Sequence, residues 1–180
     1  MRFRTCLLLL VSACTGSAPP QEPATTVTVR SAMTPKEAVD VTRDTEIRRT
    51  HLAASREQVW NALHEAHKAL GIPFAEGDLA SGTATFRVDN QIRTVAGKAA
   101  SRYLDCGLGP AGPRADSYRL SIRLGHTLEN RTPGTTTLST ALQAHARNPG
   151  LSSDPVPCHS KGVLEREIAG MVATRVQPAN

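Results

Sequence analysis

The chain has 180 residues, 21% of them charged and 3% aromatic, with a net charge of +5 at neutral pH. That length is enough for one domain with a real core once an export signal is set aside, and hardly enough for two. The basic residues are scattered, with Arg48-Arg49 the only adjacent pair, and the few aromatics cannot interleave as a base-stacking platform, so no nucleic-acid partner is expected.

In chain order, the first element is an address. Arg2 and Arg4 precede an apolar run, Leu7 to Val11, that is far too short to span a bilayer, and Ser12-Ala13 supply small residues at a cleavage point, so residues 1–13 read as an export signal. Val11-Ser12-Ala13-Cys14 resembles the bacterial lipobox, with Val at its first position where Leu is commoner. The resemblance implies cleavage before Cys14 and acylation of that cysteine. Each buried methylene contributes about 0.8 kcal/mol, so three chains would hold the protein on a membrane almost irreversibly. Thr15, where an Asp is absent, resembles lipoproteins sent to the outer membrane, there facing the periplasm. Residues 14–40 form the lipidated N-terminus and a Thr/Ser/Pro/Ala-rich linker without a large apolar cluster, and residues 41–180 a single domain. Loss of Arg2 and Arg4 lowers the net charge from +5 to +3.

With Cys6 removed and Cys14 acylated, Cys106 and Cys158 are the two thiols left in an exported chain, which reads as a disulfide worth about 4 kcal/mol in the chain-entropy model. A metal site built on Cys106, Cys158 and His159 would need closer ligand spacing.

Thr45 to Ala53 reads as a strand, and Ser55 with Gln58 as the capping box of a helix. Val59, Leu63, Ala66 and Leu70 form its apolar stripe, Gly71 ends it, and Pro73 prevents its restart. The alternation of Ala84, Phe86 and Val88 predicts a strand over 82–89, and the Gly/Pro-rich 106–116 a loop. Tyr118, Leu120, Ile122 and Leu124 share one face of the next strand and Arg119, Ser121 and Arg123 the other. A turn over 129–134 returns the chain into Leu138, Thr140, Leu142, Ala144 and Ala146, completing a hairpin. Residues 148–157 read as a loop, Ser160 as a helix cap, and 163–176 as a helix with Ile168, Met171, Val172 and Val176 on its stripe. The economical arrangement is an α+β domain: a two-layer antiparallel sheet with two helices packed on one face, in the order strand, helix, strands, helix.

The stretch ASREQVWNALHEAHKALGI, followed by Gly82, Ala84 and Phe86, resembles the helix-grip modules of the BamC family of outer-membrane lipoproteins and the opening of START-like ligand-binding domains. Val59, Trp60, Leu63, Leu70, Gly71 and Ile72 carry the match. The resemblance implies a non-enzymatic envelope lipoprotein; the two cysteines belong to neither pattern.

No catalytic, metal or cofactor residues are expected. His64 and His67 are three apart, whereas the zincin motif needs four, and both read as solvated positions on the polar flank of the helix. His51, His126, His145 and His159 read as isolated, and the Gly107, Gly109, Gly112 pattern is interrupted by Pro110 and Pro113 with no helix after it. Two functional expectations remain. The first is a binding or scaffolding module, held to the membrane through Cys14 and touching another envelope protein through Arg119 and Arg123. The alternative is a small hydrophobic ligand carrier with a pocket lined by Trp60, Phe86, Tyr118 and Ile122.

Overall fold

The computed structural model describes residues 47–150 and 154–176. The expected export signal, Cys14 and the expected linker lie outside the described residues, as does the start of the first expected strand.

Strand β1 (Arg48–Leu52) leads through Ser55 into α1 (Arg56–Ala69). The capping box is present: the Gln58 amide donates to Ser55 Oγ at 3.2 Å and the Ser55 amide donates to Gln58 Oε1 at 2.9 Å. At the other end Gly71, at φ +67°, lets the amides of Gly71 and Ile72 reach back to the carbonyls of Lys68 and His67. This Schellman closure drops Ile72 into the core and turns the chain toward the sheet.

A hairpin of β2 (Phe74–Asp78) and β3 (Thr83–Ile92) follows. Its turn depends on Gly82, at φ +69°, where an added Cβ would stand 2.5 Å from the Leu128 carbonyl oxygen. That oxygen cannot retreat, because the Leu128 amide is itself bonded to the Gly82 carbonyl at 2.7 Å. Gly82→Ala should therefore combine left-handed strain with a backbone clash and lower stability by about 2 kcal/mol or more. Urea denaturation would check this, and a loss within experimental error would contradict the geometry.

Short pieces then cross one end of the fold: β4 (Thr94–Val95) with β5 (Lys98–Ala99), a 3₁₀ turn at Ala100–Arg102, β6 (Leu104–Asp105), β7 (Leu108–Gly109) with β8 (Gly112–Pro113), and the single turn α2 (Arg114–Ser117). The long hairpin β9 (Arg119–Thr132) and β10 (Thr135–Arg147) follows, then β11 (Val156–Ser160) and α3 (Val163–Val176).

The main sheet runs β2-β3-β9-β10-β11-β6 with every pairing antiparallel. Strand β1 shares the outer edge of β10 with β11, β1 covering Thr136–Thr140 and β11 covering Ala144–Ala146. On β9 and β10 the even-numbered residues are buried, from Leu120 to Leu128 and from Thr136 to Ala146. Helix α1 lies over β9 and β10, and α3 lies beside it over β1 and β10, so both apolar stripes close on that face. The domain is α+β with an antiparallel sheet, as its patterning implies.

Three elements differ from the sequence expectation. Phe74–Asp78 is a strand although FAEGD lacks β-branched residues and all five are exposed; it is an edge held by its hairpin rather than by burial. The expected loop over 148–157 ends in β11, whose Pro157 sits where β11 has only β10 beside it, since pairing to β6 begins at His159. The expected 106–116 loop is folded into the β7–β8 hairpin and α2. The long hairpin is also tighter than expected. Thr132 pairs with Thr135 across Pro133-Gly134, with Gly134 at φ +74° and a register shift at Thr135–Thr137 absorbing the irregularity.

Candidate functional site

The face of the sheet opposite the helices carries the odd-numbered residues of β9 and β10. Strand register sorts them into rows. Arg87, Arg123 and Gln143 make one row; Ser121, His145 and Pro157 make another; Ile92, Arg119 and Arg147 make a third. Two of these rows set arginine directly opposite arginine on neighbouring strands, an arrangement that costs stability unless the charge is offset.

The two arginine pairs are treated differently. Arg87 donates from Nε to Asp89 at 2.7 Å, and Arg123 donates from Nη2 to Glu76 at 2.7 Å, so the first pair is neutralised by two carboxylates. Arg119 and Arg147 are both exposed, and neither has an acidic partner among the described residues. Arg119 and Arg123, expected together as a contact surface, do share the open face. The sequence pattern missed that Arg123 is already engaged and that the neighbour of Arg119 without an acidic partner among the described residues is Arg147, on the next strand.

On the helix side, Phe86 and Ile122 sit on the buried face, 1% and 2% exposed, with Val88 opposite Ile122 and Phe86 opposite Leu124. Trp60 is half-buried and packs on His64 at 4.9 Å and edge-on to Phe74 at 6.4 Å, and Phe74 in turn meets Phe86 at 5.5 Å. Tyr118, just before β9, lies under the Arg114 guanidinium at 6.0 Å. Trp60 and Phe86 therefore belong to one aromatic group, while Tyr118 stands at the far end of β9 from it.

The centre of that group is histidine. His67 is fully buried, its ring stacked on Phe86 at 3.6 Å, and its Nε2 stands 2.9 Å from Nε2 of His126, itself 3% exposed. His126 Nδ1 is 3.0 Å from Thr140 Oγ1. These positions correct two expectations: His67 is not solvated, and His126 is not isolated. Position 67 lies four after Leu63, on the apolar stripe, and His126 continues the even-numbered buried face of β9, so geometry overrides the polar character of both rings.

One proton serves the two Nε2 atoms. Placed on His67, it lets His126 accept at Nε2 and donate from Nδ1 to Thr140, leaving only the lone pair of His67 Nδ1 without a partner. The reverse tautomer would leave a bare N–H in the core, the rarer feature, so hydrogen bonding assigns the first. Burial, reinforced by His64, lowers the His67 pKa to about 3. Burial, then His67 and His64, pushes His126 well below the ordinary histidine range. Half-buried His64 is also lowered by burial, with Glu65 opposing. At neutral pH the pair is uncharged and holds α1 to the sheet.

Among the described residues no group of three or more His, Cys, Asp or Glu is placed to hold a metal ion. Cys106 and Cys158 form a disulfide. It ties strand β11, which holds Cys158, to the residue that directly follows β6, one step beyond the Asp105–His159 pair. Ser160 also lies in β11. Its hydroxyl accepts from the Gly162 amide at 2.9 Å and donates to Glu165, so it braces the entry to α3 from the strand. A group that sequence pattern gave no sign of joins the β4–β6 region to α3. Glu167 accepts from the Tyr103 hydroxyl at 2.9 Å and from Lys98 at 3.1 Å; burial opposes its charge, but these bonds outweigh it and lower the carboxyl pKa.

No family model and no curated protein sequence matches this chain. Among solved structures, a DUF4468 family protein from Bacteroides ovatus is similar at 10% identity and a TM-score of 0.33. The alignment covers 63% of this chain and spans 60% of that one.

Proposed function

We propose that this chain is a lipid-tethered envelope protein whose domain docks another envelope protein on the open face of its sheet. The observation that carries the reading is the Arg119–Arg147 pair, without an acidic partner among the described residues, on the sheet face opposite the helices. The tether is the acylated Cys14, followed by the polar linker over 14–40. The order β1, α1, strands, α3 supports a helix-grip-like module of the BamC kind, with α1 as the gripping helix. A tethered carrier of small hydrophobic ligands is the alternative, and it needs Phe86 and Ile122 to line a cavity. The ring stacking of His67 on Phe86 favours docking instead.

Two measurements test the proposal. Cys14→Ser should move the protein from the membrane fraction to the soluble fraction, and unchanged fractionation would remove the tether from the account. A photo-crosslinking residue at Ser121, on the open face, should capture one discrete polypeptide in cells, whereas the same residue at Glu57 on α1 should not. Capture from Glu57 alone would overturn docking on the sheet.

A further inference from the structure

The open face contains its own template for what is missing. Two arginine pairs face each other across neighbouring strands, Arg87 with Arg123 and Arg119 with Arg147. The first is satisfied by two carboxylates, Asp89 and Glu76, one to each guanidinium. The second has none among the described residues. A guanidinium fork matches a carboxylate well, and two forks side by side match two carboxylates.

We propose that Arg119 and Arg147 receive a pair of carboxylates from an acidic segment of the docked protein, in the way that Asp89 and Glu76 serve the neighbouring pair. This rests on the docking reading above and names the chemistry of its partner. Around the two guanidinia the surface suits a peptide. Ser121 and His145 in the adjacent row offer hydrogen bonds, and Ile92, 44% exposed and in register with Arg119, offers an apolar contact. A bilayer fits less well. The same face carries Asp89 and Glu76, which would be brought against anionic headgroups.

The test uses the full chain with a fluorescent probe peptide of alternating Glu and Thr, its Gln/Thr counterpart, and vesicles of phosphatidylglycerol and phosphatidylcholine. The Glu/Thr peptide should bind and the Gln/Thr peptide should not. Arg119→Gln with Arg147→Gln should weaken peptide binding by about tenfold or more, since two charge-assisted contacts are lost, while Arg175→Gln on α3 should leave it unchanged. The double variant remains folded, because removing both guanidinia of the Arg119–Arg147 pair relieves its like-charge strain, and its melting temperature should hold or rise. Equal binding of both peptides, equal binding by the double variant, or loss of vesicle binding without loss of peptide binding would each overturn the proposal. Crosslinking from Ser121 separates the two levels. If the double variant still captures the same polypeptide at full yield, docking stands and the carboxylate site does not. If no polypeptide is captured from Ser121 in the unmodified chain, docking itself fails.

Discussion

Acidification from pH 7 to 4.5 should remove about 2.5 kcal/mol of folding stability through His67 alone, with His126 adding to the loss in the same direction, a large fraction of what a domain of this size possesses. The cause is the buried pair His67 and His126. In the unfolded chain each imidazole takes up a proton below its ordinary pKa of 6.5, whereas in the folded protein burial holds His67 near 3 and His126 well below its usual range. The unfolded state therefore binds more protons, and stability falls as pH falls. The loss begins near pH 6.5 and continues toward the folded pKa of about 3. Well below pH 6.5 His67 contributes a slope of about 1.4 kcal/mol per pH unit, and His126 steepens it. The lowered carboxyls of Asp78 and Glu167 act in the same direction, but only where carboxylates begin to titrate, deeper into acid.

Urea denaturation at several pH values measures the slope directly. Replacing both rings and the hydroxyl they hold, His67→Leu and His126→Leu with Thr140→Val, removes the titrating pair together with its hydrogen bonds, so stability at pH 7 should change little and the slope between pH 7 and 4.5 should flatten. His126→Leu alone should be worse than the triple variant at pH 7, by about 1–3 kcal/mol, because it leaves the His67 donor without a partner in the core. A triple variant with the original slope would show that other groups drive acid unfolding.

The second large effect is the disulfide. It closes a loop with a sequence separation of 52, for which chain entropy predicts about 4 kcal/mol, and Cys106→Ser with Cys158→Ser should lower the melting temperature by roughly 10–20 °C. The consequence should be local as well as global. Strand β6 pairs with β11 through only Asp105–His159 and Ser160–Leu104, and β11 holds β10 through three further pairs. Without the bond, amide exchange should quicken first in β6, β11 and the start of α3, while the β9–β10 hairpin keeps its protection. Uniform acceleration across the sheet would mean that the bond stabilises only through the unfolded chain.

Helix α1 is legible from its own residues, because capping, the apolar stripe and the terminating Gly71 all act within a few residues of one another. The long hairpin and the α+β class follow from alternation, which is equally local. The cysteine pairing follows from counting once Cys6 and Cys14 are set aside, as the export reading expects, and the structure holds that bond. His126 was legible too, since it stands in phase with Leu124 and Leu128, but a residue-type rule that sends histidine to water hid it. What only the tertiary structure decided is which distant residues meet. Strands β2 and β11 exist through their partners rather than through their own propensity, and the contact of His67 with His126 joins a helix to a strand 59 positions on. The two arginine pairs are the sharpest case. Nothing near Arg123 in the sequence reveals that Glu76 neutralises it, and nothing near Arg119 reveals that Arg147 faces it. Cross-strand register is set by packing along the whole sheet, so charge balance on its open face is a property of the fold and not of any segment.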